Sequence, residues 1–164
     1  WLNLLIQGYQ WHEIPAYHGN VIKRLVKKRK GYFTDTGLAC FLQQVSSPGG
    51  LFKHPLRGAL FETHVVNTIR SLLQNCMPSA KLYHWRSDGG AEVDLVIAHD
   101  GKLHPIEMKM QTTLNKYDAR GIKAFRKTYE SHTQVMPGII VYAGSDCYLI
   151  DDDVLALPWN AVCI

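Results

Sequence analysis

The stretch Glu92-Val93-Asp94-Leu95-Val96-Ile97-Ala98-His99-Asp100-Gly101-Lys102-Leu103-His104-Pro105-Ile106-Glu107-Met108-Lys109 decides the fold. Asp-Gly between two runs of β-forming residues is the strongest short-range hairpin signal, because a two-residue type I′ turn needs positive φ at both central positions. With Asp100-Gly101 as that turn, His99 pairs with Lys102. The register then runs outward to set Val96 opposite Pro105, Asp94 opposite Glu107 and Glu92 opposite Lys109. Period-2 alternation puts these residues on one face. Directly opposed carboxylates are destabilising unless something offsets them, and a hard cation such as Mg²⁺ does so with one or two carboxylates plus water. The plain alternative is a solvated face carrying a Glu92–Lys109 ion pair. Pro105 points to an edge or a bulge, and a bulge would move the opposition.

Working outward, residues 56–73 read as a long helix. Glu62, Val65, Val66, Ile69 and Leu73 share one face, and Glu62 is the odd member, a carboxylate on an apolar stripe that is costly to bury unpaired. Lys81 to Arg86 reads as a strand that turns through Ser87-Asp88-Gly89-Gly90 into the Glu92 strand, giving a three-stranded meander. A helix over 116–129 and strands at 139–142 and 147–150 follow. This order predicts an α/β fold in which a later strand joins the meander in parallel through a crossover helix. Towards the N-terminus, Val21-Ile22 and Leu25-Val26 form a helical stripe, and turn formers from Gly31 to Gly37 break it. Asp35 or Thr36 caps a helix near Leu38, and Ser46-Ser47-Pro48-Gly49-Gly50 reads as a loop and domain boundary.

Composition bounds the rest. The 164 residues, 46% hydrophobic, suffice for one substantial core and a small appendage. The four cysteines form no C-x-x-C pair, so they read as reduced thiols of a cytoplasmic protein, and no apolar run is long enough for a membrane span. The first residue is Trp1, which suggests a piece of a longer protein. Of the net charge of +4, six cations lie within eight positions: Lys23, Arg24, Lys27, Lys28, Arg29 and Lys30. Without them 12 basic and 14 acidic residues remain, so the positive charge is local, as a phosphate-contacting patch or a solubilising segment requires.

The order helix with Glu62, strand with Asp94, strand with Glu107-x-Lys109, helix, strand resembles the restriction-endonuclease-like PD-(D/E)xK nuclease superfamily. That resemblance implies a helix, three-stranded antiparallel meander, helix and strand over residues 51–164, behind an N-terminal helical and loop extension over residues 1–50. It also implies that Asp94, Glu107 and the Met108 carbonyl hold Mg²⁺ or Mn²⁺, with Glu62 as a further ligand and Lys109 acting on the attacking water. Tyr32-Phe33-Thr34-Asp35-Thr36-Gly37-Leu38, Arg57-Gly58-Ala59-Leu60-Phe61-Glu62 and Trp85 to Asp94 resemble the C-terminal domain that follows the ATPase module in many prokaryotic AAA+ proteins. That resemblance implies an ATPase module before Trp1, with residues 1–50 as extension, basic segment and linker from it, and no G-x-x-x-x-G-K-[ST] is present here for nucleotide binding. Val93 stands where the classical nuclease signature has proline, a departure from that pattern. The activity that the resemblance implies is metal-dependent DNA phosphodiester cleavage. The alternative is an inactive nuclease-fold module that binds DNA or a protein partner through the basic stretch, Arg57 and Arg86.

If the basic stretch binds duplex DNA, a log–log salt slope of up to about −5 is expected. Charge reversal of Lys27, Lys28 and Arg29 together should flatten it, and an unchanged slope in a salt titration would place the binding surface elsewhere.

Overall fold

The computed structural model describes residues 1–20 and 28–162. Its elements are α1 (Leu2–Gln7), β1 (Trp11–Ile14), β2 (Lys30–Phe33), α2 (Thr36–Leu42), α3 (Pro48–Lys53), α4 (Arg57–Cys76), β3 (Lys81–Arg86), β4 (Glu92–His99), β5 (Lys102–Lys109), a 3-10 turn (Lys116–Ala119), α5 (Arg120–Tyr129), β6 (Gln134–Val135), β7 (Gly138–Tyr142), β8 (Tyr148–Asp151), β9 (Val154–Pro158) and a second 3-10 turn (Trp159–Ala161). The fold is α/β around a mixed sheet. Its main path runs β3-β4-β5-β7-β9-β8, with β6 beside β5.

The hairpin forms as its sequence dictates. Asp100 and Gly101 have φ of 47° and 72°, and His99 pairs with Lys102. Pro105 sits opposite Val96 inside a central strand. On its other side β5 pairs with β6 at Lys102 and Leu103 and with β7 from Ile106 onward, so the proline falls in the gap between the two and its missing N–H breaks neither ladder. The crossover through α5 brings β7 parallel to β5, as the element order predicts.

A helix covers each face of the sheet. Val65, Val66, Ile69 and Leu73 of α4 pack with Leu95, Ile106, Met108 and Val141. Their burial contributes roughly 6–12 kcal/mol before chain entropy is set against it. On the other face, Ile122 and Phe125 of α5 pack with Trp85, Val93, Val96, Leu103 and Ile140. Residues before position 51 belong to the same interior: Ile14 and Tyr32 join the α4 side, and Tyr17 joins the α5 side.

Three segments differ from expectation. The Ser46–Gly50 loop is instead the start of α3, because the Ser47 hydroxyl accepts the Gly50 N–H at 3.1 Å and Pro48 fits the first helical turn. The turn formers after Lys30 do not prevent β2, which pairs antiparallel with β1. Gly31 is needed there, since a Cβ would lie 1.9 Å from the Trp11 ring. Strand β9, which the sequence reading omits, is parallel to β7 and separates it from β8. Asp35 caps α2 as expected, accepting the Leu38 N–H at 3.0 Å. The stripe at 21–26 lies outside the described residues. Among the described residues no helix is long and apolar enough to cross a membrane, and Cys40, Cys76 and Cys147 are free thiols.

Close packing of α5 on the sheet gives a test. A Cβ on Gly121 would meet the Glu92 carbonyl oxygen at 1.8 Å, whereas one on Gly58 meets nothing within 4 Å. Gly121→Ala should cost about 2 kcal/mol or more and lower Tm by several degrees, while Gly58→Ala should be neutral or stabilise by up to about 1 kcal/mol. Thermal melts of the two variants check both signs.

Candidate active site

The site begins with a bulge. Tyr83 pairs with Val96 and Trp85 with Val93, so Asp94 and Leu95 together stand opposite the single residue His84. His84 instead joins the chain outside the sheet: its N–H donates to the Pro15 carbonyl and its carbonyl accepts the Tyr17 N–H. Leu95 enters the α4 core, while Val93 and Val96 lie on the α5 side. Asp94 also takes the α4 side. The β4–β5 ladder stops at the Leu95–Ile106 pair, and beyond it Asp94 Oδ2 accepts the Met108 N–H at 3.0 Å. A side chain thus replaces a ladder carbonyl at the point where the two strands part.

On the α4 side the N-terminal hairpin supplies a cation. Lys30 Nζ lies 2.6 Å from Glu62 Oε1 and 3.0 Å from Asp94 Oδ1. The Tyr32 hydroxyl donates to the same Glu62 oxygen at 2.7 Å, and its ring stacks on His12. Burial opposes the charge on Lys30, but Asp94 and Glu62 outweigh it and hold the ammonium above the usual lysine range. Burial, then Asp94, raise the Glu62 carboxyl despite Lys30 and Tyr32. Burial and the adjacent Glu62 charge also raise the Tyr32 phenol. The His12 imidazole is pulled down to about 4 by burial and by Arg70.

Glu107 and Lys109 project on the opposite side of β5. Their strand neighbours Ile106 and Met108 belong to the α4 core, whereas a Cβ on Gly121 of α5 would lie 3.6 Å from Glu107 Oε2. Lys109 Nζ donates to Glu107 Oε1 at 2.7 Å. Glu107 Oε2 is buried and accepts no hydrogen bond from the described residues. Burial, then the Asp94 charge, push the Glu107 carboxyl up to about 7 against the pull of Lys109. Beside this pair opens a cavity of about 640 Å³, whose lining includes Gly90, Glu107, Lys109, Tyr117, Arg120 and Gly121.

The expected single face is therefore corrected to two sides that meet at Asp94. The bulge turns Asp94 towards Glu62, and Glu107 remains with Lys109 on the α5 side. Asp94 still acts on both groups, raising Glu62 and Glu107 alike. Met108 contributes its N–H to Asp94. The Glu92–Lys109 pair does not form, because Glu92 bonds Arg86 at 3.0 Å on its other neighbour, β3.

The basic stretch is corrected at one end. Lys23, Arg24 and Lys27 lie outside the described residues, and Lys28 and Arg29 are exposed. Lys30 leaves the patch for the acids. Arg57 donates to the Phe52 carbonyl at 2.6 Å, and Arg86 is committed to Glu92. Sequence reasoning placed Lys30 in the basic stretch and missed both it and Tyr32 as partners of the acids. Their signal was the i, i+2 spacing that places both on one face of a strand, hidden by the reading of Gly31 as a turn. Among the described residues no three His, Cys, Asp or Glu side chains converge to hold a metal ion.

No solved structure matches the chain. An uncharacterized protein of Mycobacterium tuberculosis and one of Mycobacterium bovis are each 27% identical to it over 162 residues, 99% of this chain but 34% of theirs. The chain thus spans about a third of the length of the curated relatives it matches. Residues 1–49 match a second domain of unknown function, DUF8612. Residues 57–162, which carry Glu62, Asp94, Glu107 and Lys109, match the domain of unknown function DUF4143, and the chain belongs to that family.

Proposed function

We propose that Glu62, Asp94, Glu107 and Lys109 form a divalent-metal-dependent phosphodiesterase centre of the PD-(D/E)xK kind, acting on DNA in a cytoplasmic domain that serves an ATPase module of the same full-length protein. The observation that carries this reading is Glu107 Oε2, buried and without a hydrogen-bond partner among the described residues, beside an ammonium-bearing Lys109. Among the described residues of the site, three carboxylates share two ammonium groups, which leaves one excess negative charge. Such a group either takes a proton or takes a cation.

Glu107 Oε2 offers a hard cation such as Mg²⁺ or Mn²⁺ one oxygen ligand, and Mg²⁺ needs only one or two carboxylates when water and phosphate complete its shell. Asp94 and the Met108 carbonyl would join it only once Asp94 gives up Lys30 or the Met108 N–H, which hold both of its oxygens. Such an ion polarises a phosphoryl oxygen and lowers the pKa of bound water. Lys109, held by Glu107, would orient that water and stabilise charge developing on the phosphate. The cavity beside the pair has room for a nucleotide, and Arg120 in its wall supplies a second cation.

One observation favours the non-catalytic alternative: Lys30 already satisfies Glu62 and Asp94, as a retired site would require. A plasmid-nicking assay with the full-length protein separates the two. With Mn²⁺ or Mg²⁺ the wild type should nick DNA, and Lys109→Ala and Glu107→Gln should lower the rate by about a hundredfold or more. Absence of nicking together with a Tm indifferent to millimolar metal would favour a binding module.

Without metal, Glu107 should leave a pH signature. Its folded pKa near 7 stands above its ordinary 4.5, so the stability gained from its proton is full below about 4.5 and is lost as pH rises through 7. Glu107→Gln should remove that slope and gain up to about 3 kcal/mol on the wild type at pH 8. His12, lowered from 6.5 to about 4, contributes the opposite slope below 6.5 in both proteins. The wild-type minus variant difference in denaturant-derived stability isolates Glu107, and a flat difference would sink the assignment.

A further inference from the structure

We propose that the cavity beside Glu107 and Lys109 takes one unpaired nucleotide of a DNA strand, with Tyr117 stacking on its base and Arg120 holding its phosphate. The inference rests on the reading above that this site acts on DNA, and it needs no metal ion.

Tyr117 is 77% exposed, and among the described residues its ring touches no other ring. A lone exposed tyrosine is ordinary on a protein surface. What sets this one apart is how firmly its backbone is held and what stands next to it. Asn115 Oδ1 accepts the Tyr117 N–H at 2.9 Å, and Asp118 Oδ2 accepts the Asn115 N–H at 2.8 Å, so the turn Lys116–Ala119 is capped in both directions. Ala119, at the end of that turn, and Ile122 of α5 are fully buried in the core. Side chains three apart in a 3-10 turn eclipse one another, which brings Arg120 to the same side as Tyr117. Both line the cavity.

The cavity wall carries three acids, and each has a partner: Glu92 bonds Arg86, Glu107 bonds Lys109, and Asp118 accepts from Asn115. Of the two cations in the wall, Lys109 is committed to Glu107, whereas Arg120 makes no ion pair with any described residue. With Arg86 counted, three cations balance three acids, so a ligand is held by contact with the ring and one phosphate rather than by a broad positive field. Gly89 and Gly90 add no side chain to the wall, and a Cβ on Gly90 would meet nothing within 4 Å, which lets a sugar–phosphate backbone approach the β3–β4 turn closely. A volume of about 640 Å³ suits a ligand of nucleotide size. Inside a duplex each base is already stacked between its neighbours, so an aromatic ring in a cavity meets a free face only on an unpaired base.

Fluorescence anisotropy in EDTA, with the full-length protein and a labelled oligo(dT) of about ten nucleotides set against the matching blunt duplex, tests this without turnover. Tyr117→Ala should weaken single-strand binding about tenfold and leave any duplex binding unchanged, while Tyr117→Phe keeps the ring and should bind as the wild type does. Arg120→Gln should reduce the steepness of the single-strand log–log salt slope by about 0.7, the share of one phosphate contact. Single-strand binding that survives Tyr117→Ala, or an equal loss on the duplex, overturns the inference alone. A wild type that binds neither DNA overturns the DNA reading and the inference with it. A wild type that binds the single strand through Tyr117 and never nicks supports the inference and overturns only catalysis.

Discussion

Lys30 shared between Glu62 and Asp94 is the interaction on which the rest of the site depends, because it sets one ammonium against two half-buried carboxylates from different parts of the chain. Asp94 belongs to β4, Glu62 to α4, and Lys30 to a strand from the N-terminal hairpin. Each carboxylate would be costly to bury alone. Together with one ammonium the pair still carries one excess negative charge, and its effect reaches Glu107, whose carboxyl rises to about 7 with Asp94 as the second cause after burial. The two halves of the site are thus electrostatically one, although a sheet strand separates them.

The bulge makes this possible. Had β4 run regularly, Asp94 and Glu107 would have faced each other directly, and two carboxylates in that position repel. The extra residue opposite His84 turns Asp94 to the other side and lets its oxygen take the Met108 N–H where the ladder ends. Backbone geometry thus directs the two acids to different sides of the sheet. The cost is a broken pairing at His84, offset by its backbone bonds to Pro15 and Tyr17. The N-terminal segment therefore supports the site twice, through Lys30 and through the bulge.

What was legible in the sequence is what is local. The Asp100-Gly101 turn, the α4 stripe from Val65 to Leu73, the Lys81–Arg86 strand and the crossover helix each announce themselves within a few residues, by turn chemistry or periodicity. Strand β2 did not, because Gly31 reads as a breaker unless one knows that a tryptophan ring from residue 11 fills the space above it. Strand β9 was hidden by its composition, since Ala156 and Pro158 among its five residues are poor strand formers. The basic stretch showed the limit of charge counting: Lys30 resembles its neighbours in sequence, yet it is half-buried among acids while Lys28 and Arg29 are exposed.

The same limit explains why the acid pattern, expected on one face, is divided between two sides of the sheet. Glu62, Asp94, Glu107 and Lys109 are all buried or half-buried and all ion-paired, which spacing alone does not reveal. Their partners are divided by the sheet, one lysine to each side, and only Asp94 acts on both. A carboxylate in that position transmits any change in its own neutralisation to both neighbours. Removal of Lys30 would be felt at Glu107, and a cation arriving at Glu107 would be felt at Glu62, with no movement of the backbone required. In a site so arranged the N-terminal hairpin does more than cover one face of α4: through a single ammonium it sets the charge that the opposite face presents to the cavity.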